Sequence, residues 1–110
     1  MSEPNKAVDY ILNNSAKYAK AKSQRVYLEE FRKTKKALLM KEALVMGIEA
    51  ANAQEREAYA HPEYQELLQG LAAAIETEET LKWNLEAARM RCDIWHTEQA
   101  NNRTVERATQ

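Results

Sequence analysis

The stretch YQELLQGLAAAIETEETLKWNLEAARMRCDIW, residues 64–95, decides the fold. From Tyr64 one line of residues recurs at alternating steps of three and four: Leu67, Leu71, Ala74, Glu78, Leu81, Leu85, Ala88, Cys92 and Trp95. A step averaging 3.5 keeps one stripe of an α-helix turned towards a partner helix over several heptads. Glu78 is the one charged member of this seam. A lone polar seam residue sets register or pairs with a cation across the interface, here expected to be a lysine.

A second stripe lies on another face of the same helix. Trp83, Ala87, Met90 and Ile94 repeat at steps of four, three and four. One partner helix covers one seam, so two apolar faces call for a third helix. The N-terminal segment and another protomer are the candidates. A two-helix hairpin alone encloses little core, so the expected state is a homo-oligomer. Its expected interface is Trp83, Ala87, Met90, Ile94 and Trp95.

Working outward, the helix needs a start and a partner. Pro62 biases His61 away from helical dihedrals, which ends the preceding helix, and itself suits the first position of the next. His61 reads as a polar turn or cap residue. Glu63 and Glu66 complement the positive end of the new helix. A connection of two or three residues makes the flanking helices antiparallel neighbours. Asn101-Asn102 is the expected stop, with a frayed tail behind it. Upstream, a first long helix is expected over 16–60, with residues 42–59 lying against 62–80. Ala37, Met40, Leu44, Gly47 and Ala51 follow three-four spacing there, and Gly47 is expected at a close helix–helix contact inside that helix. Ser2-Glu3-Pro4 suits a helix start, and Asn13-Asn14-Ser15 interrupts the pattern. A short N-terminal helix over 4–15, or a kink, follows. The expected fold is therefore all-α: an antiparallel, coiled-coil-like helical hairpin of one domain, with a short N-terminal helical segment.

Composition agrees. The 110 residues contain two Gly and two Pro, and are rich in good helix formers. No apolar run approaches the roughly 20 residues of a membrane span, and no signal-peptide pattern opens the chain. One cysteine cannot form an internal disulfide, which fits a reducing cytoplasm. Cys92 and His96 lie four apart beside Asp93 and could supply two zinc ligands, but two are too few, and a small buried seam residue is the plainer reading of Cys92. No nucleophile, base and acid stand at catalytic spacing, and Gly47 and Gly70 form no phosphate loop. Glu76, Glu78 and Glu79 lack the Glu-x-x-His spacing of a di-metal bundle. The expectation is a non-enzyme with no cofactor, no metal, no small-molecule substrate and no membrane.

Net charge is −1, but its distribution is uneven. Residues 17–41 hold nine cations against two carboxylates, a net of +7, while 42–86 hold ten carboxylates against two cations. The basic run reads two ways. Lys17, Lys20, Lys22, Arg25, Arg32, Lys33, Lys35 and Lys36 could neutralise phosphates while Tyr27, with Tyr18 and Phe31, stacks on unpaired bases. Alternatively, the basic segment lies along an acidic one of the same or another chain. With 42–59 against 62–80, the local hairpin would leave the basic run uncancelled.

Three runs suggest a family. RVYLEEFRKTKKALLM (residues 25–40), EREAYAHPEY (55–64) and IWHTEQA (94–100) resemble small helical proteins of tailed phages and prophages encoded among recombination and replication genes. The likeness covers about residues 20–103. Its motifs are packing and turn motifs, so it implies context and carries no functional residue across. It implies an accessory protein for DNA recombination or replication in a bacterial host's cytoplasm, binding single-stranded DNA or a DNA-handling protein. The alternative is an oligomeric coiled-coil assembly or adaptor protein that binds a protein partner and no nucleic acid.

Overall fold

In the computed structural model, which describes residues Glu3–Thr109, the chain is a long helical hairpin with one short helix. Helix α1 is Glu3–Val45, α2 is Ala51–Ala60 and α3 is Pro62–Thr109. No strand occurs among the described residues. Two compact units are formed. One takes the two ends of the chain, up to Ala19 and from Glu79, and the other is Lys20–Glu78. Helices α1 and α3 contribute to both.

The seam read from the sequence is the buried stripe of α3. Tyr64, Leu71, Glu78 and Ala88 are buried, and Leu67, Ala74, Leu81, Leu85, Cys92 and Trp95 are half-buried. Helix α1 carries a matching stripe that apolar periodicity alone does not reveal. Ala7, Ile11, Asn14, Tyr18, Ala21, Arg25, Leu28, Arg32, Lys35 and Leu39 recur at steps of four and three, and every one is buried or half-buried. The long stems of Arg25, Arg32 and Lys35 can line this seam while their charged heads reach its edge. In unit Lys20–Glu78 the core gathers at the turn, where Leu39, Ala58 and Tyr64 pack with Met40 and Leu68.

Three boundaries and the pairing of the helices differ from expectation. The segment 4–15 is not a separate helix: α1 runs unbroken through Asn13-Asn14-Ser15. The Asn14 amide donates to the Tyr10 carbonyl at 2.8 Å and the Ser15 hydroxyl to that of Ile11, so both bond back to carbonyls four residues earlier and the helix continues. The Ser2 start lies outside the described residues, and Pro4 falls in the first turn of α1.

Secondly, the helix expected over 16–60 breaks at Gly47. This residue has φ +99°, the left-handed region that glycine enters without a Cβ penalty. The Gly47 N–H donates to the Leu44 carbonyl and the Ile48 N–H to that of Ala43, both at 3.0 Å. These two bonds are the Schellman pattern that closes a helix C-terminus. Gly47 is therefore a stop, with no neighbour within 4 Å of where its Cβ would be, and not a close helix contact. Ala50 caps α2 without a side-chain bond, while the Gln54 amide donates to the carbonyls of Ile48 and Glu49.

Thirdly, α2 ends before Pro62 as expected, and the His61 imidazole Nδ1 accepts the Glu63 N–H at 3.1 Å, capping α3. Because α2 forms the connection, residues 25–39, and not 42–59, lie against 58–78. Finally, α3 does not stop at Asn101-Asn102. It is helical to Thr109, with all of 100–109 exposed, and Gln110 of the expected tail is outside the described residues.

Candidate functional site

Two surfaces were expected to carry function, and their geometry differs. The basic run does not form one patch. In unit Lys20–Glu78, Arg25 inserts between the helices and holds Glu78 by two hydrogen bonds, Nε to Oε2 at 2.6 Å and Nη2 to Oε1 at 2.9 Å. Its Nη1 donates to Glu29 at 3.1 Å. The fork geometry of guanidinium matches a carboxylate at both oxygens, which an ammonium cannot do, so the seam partner of Glu78 is an arginine and not a lysine. Donating to Glu78 raises the Arg25 pKa further above its ordinary value.

Two lysines of the run are also occupied. Lys35 donates to Glu63 at 2.7 Å, and that hydrogen bond holds the Glu63 carboxyl below the usual carboxylate range. Lys36 lies 4.7 Å above the Tyr59 ring and 3.4 Å from Glu55. Hydrogen bonding to Tyr59, with the charge of Glu55 beside it, raises its pKa. Lys33 pairs along its own helix with Glu30 at 3.4 Å. Lys17, Lys20 and Lys22 are exposed and Arg32 half-buried, without an ion pair among the described residues. Lys20 and Lys22 point about 200° apart round the helix. The Tyr27 ring is 63% exposed but stacks on Phe31, with centroids 5.7 Å apart and 10° between planes.

The second surface is the other stripe of α3, in the unit formed by the chain's two ends. Trp83, Met90 and Ile94 are 63%, 57% and 56% exposed, and Ala87 between them is exposed too. Trp95 belongs instead to the main seam, where it is half-buried with the His96 ring edge-on at 5.5 Å. The N-terminal segment was one candidate cover for the stripe. It reaches one edge of the stripe and no further: Ala7 is buried, and Lys6 and Tyr10 border a groove with Asn84, Ala87, Ala88 and Arg91 of α3, while Trp83, Met90 and Ile94 stay exposed. The Trp83 indole N–H donates to Glu79 at 3.1 Å and Lys82 sits 5.6 Å from its ring, both on the same helix. Neither covers the ring.

No family model, curated protein or solved structure matches the chain. The chemistry must therefore be read from the residues. Cys92 is half-buried in the seam and His96 is exposed. Among the described residues no three His, Cys, Asp or Glu side chains gather as a metal ion would need. Among them, too, no helix is long and apolar enough to cross a membrane. What sequence reasoning missed is Arg25 as a seam residue. Its signal is its position, four after Ala21 and three before Leu28 on one heptad line.

Proposed function

We propose that this chain is a non-enzymatic assembly or adaptor protein, a helical hairpin that self-associates through the outer stripe of α3 and presents its charged surface to a protein partner. The observation that carries this reading is the exposure of Trp83, Met90 and Ile94 together at helical spacing. A contiguous apolar stripe on a folded chain marks an interaction surface more often than a solvated one. The ion pairs of Arg25, Lys35 and Lys36 support a protein-binding reading over a nucleic-acid one, because those cations already have carboxylate partners. The resemblance to tailed-phage proteins supplies the context, in which the partner is a protein of DNA recombination or replication.

Sedimentation of the wild type and of the Trp83→Glu/Met90→Glu variant tests this. The wild type is expected to associate at micromolar concentration. The variant should stay monomeric with unchanged helicity, since neither side chain is part of the hairpin seam. A wild type that remains monomeric throughout that range removes the self-association.

A further inference from the structure

Helices α1 and α2 both end at one groove in unit Lys20–Glu78. Its floor is Leu39, Ala43, Met46 and Ile48, and its rim is Glu42, Glu57 and His61. Ile48 joins Ala43 on the floor because the Schellman closure folds the residue after Gly47 back to the Ala43 carbonyl. We infer that this groove docks a basic segment of a protein partner, an aliphatic side chain flanked by lysine or arginine. The inference rests on the adaptor reading above, and names the surface and the chemistry of what it takes.

Charge argues for the cation. A helix ends at the negative pole of its dipole, where cations are favourable and carboxylates are not. Neither α1 nor α2 has a basic residue in its last turn. Each has a glutamate there instead, Glu42 and Glu57, and both are exposed. Neither has an ion pair among the described residues, although Glu55 and Glu63 of the same unit are paired with Lys36 and Lys35. No Lys or Arg stands three or four residues from Glu42 or Glu57 along the chain. Glu57 has His61 at that spacing, and the Nδ1 of this ring is already engaged by the Glu63 N–H. Lys41 and Arg56 adjoin the two glutamates in sequence, but successive residues of a helix point about 100° apart. Neither of these cations lines the groove. Residues 62–81 of α3 contain no Lys or Arg at all. Two negative helix ends and two carboxylates are thus left for a cation from outside, which charge complementarity selects.

Shape decides what accompanies that cation. Met46 is 76% exposed at the groove, and its neighbour Val45 is 80% exposed. An unbranched thioether adapts to whatever apolar group is laid on it. The groove holds about 80 Å³, roughly half the volume of a cavity that takes a benzene ring. It suits one aliphatic side chain better than an aromatic one.

Fluorescence anisotropy on the full chain at low ionic strength tests this, with a labelled peptide holding one leucine between two pairs of lysines. Two reference peptides carry serine for the leucine, or glutamate for every lysine. The leucine peptide is expected to bind, the serine peptide about tenfold more weakly, and the glutamate peptide not at all. Glu42→Gln/Glu57→Gln should weaken the leucine peptide about fivefold. Its helicity should be kept, since both side chains are exposed. Glu49→Gln/Glu66→Gln removes the same charge away from the groove and should leave binding unchanged. Equal binding of the leucine and serine peptides, or equal loss in the two glutamine variants, overturns the groove. A Glu42→Gln/Glu57→Gln protein that sediments as a smaller species than the wild type makes a second copy the occupant, and overturns it too. Self-association is read separately. Trp83→Glu/Met90→Glu is expected to bind the leucine peptide as the wild type does. A monomeric wild type that binds the peptide removes the α3 contact and leaves the groove standing. One that associates but binds no peptide keeps the α3 contact and loses the groove.

Discussion

Gly47 and Gly70 are both open to solvent on the Cβ side, with nothing within 4 Å of an added methyl group, yet they do opposite things. Gly47 holds φ +99°, where an L-residue's Cβ crowds its own backbone. Gly70 has helical dihedrals in the interior of α3, where glycine only adds unfolded-state freedom. Gly47→Ala is therefore expected to destabilise the fold by about 1–2 kcal/mol from conformation alone. Gly70→Ala should stabilise it by up to about 1 kcal/mol, the helix-propensity difference. Thermal or urea unfolding followed by circular dichroism separates the two. Equal shifts of the same sign would mean that Gly47 is not held in the left-handed region. At this same scale, a glycine followed by an apolar residue after a long helical run is the signal of a stop, and Gly47-Ile48 carried it in the sequence. Three-four spacing from Ala37 through Ala51 hid it, because alanines and leucines keep that spacing on many faces of an apolar-rich helix.

Between elements, the hairpin is joined by seams of unequal legibility. That of α3 could be read residue by residue, because its members are apolar or small apart from Glu78 and Cys92. That of α1 could not, because Asn14, Arg25, Arg32 and Lys35 occupy half-buried seam positions that an apolar pattern skips. Burial of an ionised side chain is tolerated only where a partner repays its lost hydration, and Arg25 with Glu78 is that case. The partner lies 53 residues away, and no local rule links the two positions before the connector is known. Treating 16–60 as one helix displaced the whole pairing, set the basic run opposite the wrong part of α3, and so left its cations without carboxylates. The pair itself is testable. Arg25→Leu leaves the Glu78 carboxylate in the seam without its main donor, and should lower the melting temperature. Adding Glu78→Leu to it should recover the wild-type value or exceed it, because two apolar side chains in an apolar seam carry no desolvation cost. An Arg25→Leu variant that melts with the wild type would mean that water substitutes for the contact at no loss.

For the whole molecule, the uneven distribution of charge along the chain is the feature that most suggested a nucleic-acid ligand, and folding changes its meaning. The hairpin lays basic α1 residues beside acidic residues of α2 and α3, so part of the sequence dipole is neutralised inside one chain. Within the basic run, the exposed cations without an ion pair among the described residues are then Lys17, Lys20, Lys22 and Lys41, with Lys33 tied loosely to Glu30. Binding of single-stranded nucleic acid releases counterions, and its logarithmic salt slope is about −0.7 for each phosphate neutralised. Four such cations acting together on one strand would give a slope near −3. Lys20 and Lys22 point to different sides of α1, so they do not meet one strand together. A fluorescent oligonucleotide titrated at several low salt concentrations is expected to show weak binding at most, with a slope well short of that value. The Lys17→Glu/Lys20→Glu/Lys22→Glu variant should still associate through α3. A wild-type slope near −3, abolished in that variant, would restore a phosphate-binding role to the basic helix and count against a partner that is protein alone.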